Sequence, residues 1–125
     1  MMKKEIALRY LEFLENGDVE QILGLFSSNG MVQSPVYGSM KATLFYPKLN
    51  NDTKSSQLKL HGIFEDPQTK NLALHFNYMW TLKNDEKVEF DVVDIIEFNA
   101  QHKISKLIII YDTVQSGVLV KQLNA

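Results

Sequence analysis

Asp94 is the residue whose type and position could do chemistry. In the stretch 86–98, the even positions are Val88, Phe90, Val92, Asp94, Ile96 and Phe98. Successive side chains of a strand point to opposite faces, so these six share one face. Five are apolar and one is a carboxylic acid. The odd positions, Glu89, Asp91, Val93, Ile95 and Glu97, are mixed. If the even face meets the core, Asp94 stands in an apolar interior. An ionised carboxylate is very costly there, and the group escapes by keeping its proton, with a raised pKa. A neutral buried acid is a strong hydrogen-bond donor, suited to an oxygen on which negative charge develops. The plainer alternative is an aspartate satisfied by a backbone amide, a lysine or an arginine.

Tyr10 is the second candidate. It lies on the apolar stripe of a helix, and its hydroxyl needs a partner once buried. Tyr46 is of the same kind. Tyr37, Tyr111 and Trp80 could line a pocket, although such residues are ordinarily core. The histidines His61, His75 and His102 show no HxH, HxxxH or HExxH spacing, so no metal site is expected. No GxGxxG, P-loop or GxSxG motif occurs, and no cofactor is expected. The absence of cysteine excludes disulfides, thiolate catalysis and cysteine-ligated metals.

These side chains must be positioned by a chain of 125 residues, 45% hydrophobic and 22% charged. That is the size and balance of a single domain, 1–125. Thirteen basic against fifteen acidic residues give a net charge of −2, without the basic excess of a nucleic-acid binder. No basic cluster exceeds Lys3-Lys4, so a polybasic membrane patch is not expected. Glu5, Arg9 and Glu12 break any signal-peptide core near the start. No stretch reaches the ~18 apolar residues of a spanning helix. The expectation is a soluble cytoplasmic protein.

Ile6, Tyr10, Phe13 and Leu14, widened by Ala7 and Leu11, predict an amphipathic helix over about 3–16, stopped by Asn16-Gly17. Asp18 and Gln21 have capping-box spacing for a second helix. Val19, Ile22, Leu23 and Phe26 form its buried face, and Ser28-Asn29-Gly30 ends it. Residues 31–36 predict a short strand, limited by Pro35. A third short helix is expected over about 39–46, closed before Pro47, with a surface loop over 48–56. Strands follow at about 57–65, 72–82, 86–98 and 103–113. Residues 115–125 carry no strong signature. Helices first and a meander of long strands afterwards argue α+β, with helices on one face of a curved sheet.

Tyr10 followed by Asn16-Gly17-Asp18, Leu25-Phe26, Ser34-Pro35-Val36 and Phe45-Tyr46 resembles the first half of a ketosteroid isomerase. Val93 to Asn99, continuing through Lys103-Ile104, resembles its second half. The resemblance implies the nuclear-transport-factor-2-like, cystatin-like fold, shared with SnoaL-like polyketide cyclases. That fold is a cone-shaped antiparallel or mixed sheet packed on three N-terminal helices, with a ligand pocket inside the cone. It also implies that Tyr10 and Asp94 are an oxyanion-hole pair, Asp94 being held neutral, with Tyr46 in support. Phe26, Phe90, Val92, Ile96, Leu107, Ile109 and Tyr111 would then line the pocket, Ile109 filling space where the isomerases often carry a smaller residue. A homodimer through the outer sheet face, with Val93, Ile95 and Ile108, is a further implication.

One position departs from the family. Its general base is an aspartate before the proline, and here that position is Ser34. A serine hydroxyl cannot remove an α-proton without activation. The neighbours Gln33 and Val36 offer no replacement, and Asp112 is out of register with the inward-facing Leu107, Ile109 and Tyr111. Three functions fit these residues. The first is a protein that binds a small apolar ligand through a carbonyl or phenolic oxygen. The second is an isomerase, dehydratase or cyclase with a different base. The third is a non-catalytic dimeric module with a filled cone.

Overall fold

The computed structural model describes residues 2–123. Helix α1, Lys3–Asn16, buries Ile6, Ala7, Tyr10, Leu11 and Leu14, the stripe its spacing predicts. Gly17 closes it at φ +66°, a left-handed conformation that glycine adopts without penalty. Asp18 caps α2, Val19–Leu25, by accepting the amide of Gln21 at 3.2 Å.

Beyond this point the chain departs from the predicted boundaries. Helix α2 ends one residue before Phe26, which opens strand β1, Phe26–Ser34. Phe26 therefore belongs to the sheet and not to the helix. Ser28-Asn29-Gly30 marks an irregularity within β1. A Cβ on Gly30 would meet the Phe26 ring at 2.8 Å and the Ile104 carbonyl at 3.0 Å, so glycine lets β1 approach its neighbour. Residues 38–41 form β2, Gly38–Lys41, where a helix start was expected. Helix α3 runs over Ala42–Asp52 and passes through Pro47. Proline removes one intrahelical bond, but burial of Phe45 and Tyr46 before it and Asp52 after it holds the helix together. The expected loop over 48–56 is therefore the end of α3 and the start of β3, Thr53–Glu65.

The remaining strands lie close to prediction: β4, Leu72–Leu82; β5, Lys87–Phe98; and β6, Ile104–Ile110. Strand β4 alternates without a fault, burying Leu72, Leu74, Phe76, Tyr78, Trp80 and Leu82. A fourth helix, α4, covers Ser116–Leu123 and buries Ser116 and Val120. The last two residues of the tail lie outside the described residues.

The six strands form one curved sheet in the order β2-β1-β6-β5-β4-β3. Among the described residues only β1 and β6 run parallel; the other pairs are antiparallel. Helix α1 packs on β3 and β4, and α3 packs on β1, β2 and β3. The hydrophobic core fills the space between the helices and the concave face of the sheet. Among the described residues, no helix is long and apolar enough to cross a membrane.

Candidate functional site

Asp94 sits in the middle of β5. Its register partners are Leu74 on β4 and Ile109 on β6. The pleat points it inward with Val92 and Ile96, and only 1% of it is exposed. Its Oδ1 has no hydrogen-bond partner among the described residues. The amide, lysine or arginine that would make it an ordinary buried aspartate is not beside it. Burial alone pushes its pKa well above the usual carboxylate range. Burial thus favours the neutral carboxyl, and its Oδ1 has hydrogen-bonding capacity that the described residues do not use.

The acid lines a narrow cavity between the helices and the sheet. Tyr10 and Leu14 of α1 and Phe45 and Leu49 of α3 form one wall. Phe76, Tyr78 and Trp80 of β4 face them, and Phe90, Val92, Ile109 and Tyr111 complete the apolar lining. The volume is about 40 Å³. A single water needs about 10–15 Å³, so the space holds a few waters or a small fragment of a ligand. The half-buried liners Tyr37, Leu49, Phe90, Ile109 and Tyr111 mark where it meets solvent. There the Phe90 and Tyr111 rings stack, with centroids 4.3 Å apart and planes 16° from parallel.

Tyr10 is buried, and its hydroxyl lies 2.8 Å from that of Tyr46. Burial raises the pKa of both phenols. The neighbouring Tyr46 and then Asp94 raise Tyr10 further, because a second negative charge would be unfavourable there. Burial likewise holds Tyr111 up at about 12. The lining is therefore a set of neutral hydroxyl and carboxyl groups in an apolar box.

Ser34 lines the same cavity, but its Oγ accepts the amide of Tyr37 at 3.0 Å. It serves the turn into β2 and carries no base character. Tyr37 in turn donates from its hydroxyl to Asp52 Oδ2 at 2.7 Å. Asp52 is buried at the end of α3, 3.5 Å from the ammonium of Lys83. It belongs to this structural link and does not line the cavity. Asp112 is exposed and accepts the amide of Val114, so it supplies no base.

The structure therefore brings Tyr10, Asp94, Ser34, Phe90, Val92, Ile109 and Tyr111 to one cavity. It places Tyr46, Phe26, Ile96 and Leu107 behind the wall. Tyr46 supports Tyr10, and the Phe26 ring packs on Tyr46 at 5.5 Å. Ile96 and Leu107 are wholly buried core residues. The sequence does not single out Leu14, Phe45, Phe76 or Tyr78 as cavity liners, nor does it point to Leu49 and Asp52. The period Phe45, Leu49, Asp52 carries the signal for the last two, on a helix that the proline conceals.

No protein-family model matches the chain, and no curated protein matches it. Solved structures do. An NTF2-like protein from Exiguobacterium sp. 255-15 is 14% identical with a TM-score of 0.75, covering 86% of this chain and 98% of its own. TerC, co-crystallised with polyporic acid, is 15% identical with a TM-score of 0.78, covering 95% and 98%. SalBIII is an epoxide hydrolase/cyclase-like enzyme with a role in pyran ring formation in the polyether salinomycin. It is 19% identical with a TM-score of 0.76, covering 88% and 90%. The fold is the NTF2-like, cystatin-like α+β architecture. At this identity the likeness concerns the fold alone.

Proposed function

We propose that the cavity binds a small, largely apolar ligand through one carbonyl or phenolic oxygen, which accepts hydrogen bonds from neutral Asp94 and from Tyr10. The observation that carries this reading is the buried Asp94 Oδ1 without a partner. A buried polar atom left unpaired costs about 1–3 kcal/mol, and an acceptor oxygen on a ligand offsets that cost. Either hydroxyl of the Tyr10–Tyr46 pair can donate, and when Tyr46 donates the Tyr10 proton is free for the same oxygen. A ligand larger than this space enters by displacing Phe90 and Tyr111. The protein acts in the cytoplasm as a homodimer joined through Val93, Ile95 and Ile108 on the outer sheet face.

Titration with a substituted phenol and with an enone, followed by calorimetry, tests the binding. Tyr10→Phe and Asp94→Asn should each weaken it at least tenfold. Unchanged affinity in both variants would overturn the assignment.

A second function rests on the same neutral acid. A carboxylic acid in an apolar box can donate its proton as well as a hydrogen bond, so it serves an isomerisation, dehydration or cyclisation whose base comes from the substrate. SalBIII, an epoxide hydrolase/cyclase-like enzyme, shares the fold. Proton exchange on a β,γ-unsaturated ketone separates the two. A protein that only binds shows none, and Ser34→Asp should then introduce it by restoring a base. Exchange in the unmodified protein that Asp94→Asn abolishes would establish catalysis instead.

A further inference from the structure

We propose that His61, His75 and Asp91 form a binding site for a divalent transition-metal ion on the outer face of the sheet, the face opposite the cavity. The three residues come from three adjacent strands, β3, β4 and β5. One ligand atom from each lies within 4.8 Å of the other two. The His61 Nε2 to Asp91 Oδ1 distance is 3.6 Å, and the two imidazole rings lie 4.8 Å apart.

Their separation along the chain conceals the cluster, and the strand register produces it. His75 lies opposite Val93, and Asn77 lies opposite Asp91, so His75 and Asp91 are diagonal neighbours on the outward face. Gln57 and Lys59 pair with Met79 and Asn77 on the outward face, and alternation carries His61 onto the same face. A register shift falls between Leu60 and Gly62, and Gly62 pairs with His75. His61 is the extra residue of that bulge, so it and Gly62 come in succession beside the outward-facing His75. Gly62 carries no side chain to compete for the space. A Cβ there would come within 3.0 Å of the Phe64 ring.

The chemistry suits a borderline cation. Two imidazoles and one carboxylate are the donors that zinc and its neighbours prefer, at about 2.0–2.1 Å. Tetrahedral angles then put ligand atoms about 3.3–3.4 Å apart. The His61–Asp91 distance is already near that value, and the widest separation closes by small rotations of accessible side chains. Asn77 Nδ2 donates to Asp91 Oδ1 at 3.3 Å and orients the carboxylate. The ion-pair partner of Asp91 is His61, although Lys59 shares that strand face. Water completes the coordination. The ion would tie the edge strand β3 to the two strands beside it.

Calorimetric titration of the full chain with zinc chloride in a non-chelating buffer tests the site. One ion per chain is expected, with affinity lowered at least tenfold in His75→Gln and in Asp91→Asn. His102→Gln, a change at an exposed hairpin residue, should leave it unaltered. Proton NMR of the unmodified protein gives a second readout that needs no variant. The His61 and His75 ring resonances should shift together on zinc addition while those of His102 stay in place. Absence of binding, binding undiminished in both variants, or equal shifts at all three histidines would overturn the proposal.

Discussion

An acid at the centre of β5, between Leu74 and Ile109, makes stability depend on pH in a defined direction. The folded state holds the Asp94 proton to higher pH than the unfolded chain does. Below the unfolded value, near 3.9, both states are protonated and the acid costs nothing extra. As pH rises through that value and on towards the folded one, the unfolded chain releases its proton first. Stability falls with a slope approaching about 1.4 kcal/mol per pH unit for this one group. Asp94→Asn removes the term. Urea unfolding from pH 4 to 8 should show the variant gaining on the parent as pH rises, and parallel curves would contradict a neutral Asp94. Tyr10→Phe leaves the buried Tyr46 hydroxyl without its partner. It should cost about 1–3 kcal/mol in the same assay. Asp94 and Tyr10 are legible in the sequence because each breaks or bears a strict period. The Ser34 role is legible only by its residue type, since its bond to the Tyr37 amide depends on a turn that no spacing reveals.

Among the elements, those with unbroken periods match their predicted extents most closely. The alternation from Leu72 to Leu82 gives β4 to the residue, and the Tyr10 stripe gives α1. Punctuating residues mislead elsewhere. Pro47 reads as a helix stop, yet Phe45, Leu49 and Asp52 keep one face of α3 packed beyond it. Ser28-Asn29-Gly30 reads as a turn, yet it marks an irregularity where β1 meets β6. Gly30→Ala tests that account. Its Cβ would press on the Phe26 ring and on the Ile104 backbone, and the backbone cannot yield without disturbing the parallel pair. A loss of about 1–3 kcal/mol is expected from such crowding, measured by thermal unfolding. A neutral effect would show that β1 and β6 are looser than drawn.

At the scale of the molecule, the α+β class and the helical layer follow from the order of the elements. The parallel pairing of β1 with β6 does not. It joins residues about 75 positions apart, and local patterns carry no information about such closure. Helix α4 is hidden for a related reason. It is eight residues long, and its burial of Ser116 and Val120 is tertiary. Because the cavity is built from every layer of this closed fold, occupying it should stabilise the whole. A phenol at a hundred times its dissociation constant adds about 2.7 kcal/mol, or roughly 10 °C in melting temperature for a chain of this size. Differential scanning fluorimetry reads this directly. A rise retained in Asp94→Asn would place the ligand elsewhere.

The stacked rings of Phe90 and Tyr111 carry a consequence for rates. A guest wider than the passage must wait for the two aromatics to part, an excursion that belongs to the protein and not to the guest. Stopped-flow traces should then speed up with concentration only to a plateau set by that parting. Trimming Phe90 to alanine should lift the plateau and restore a straight line.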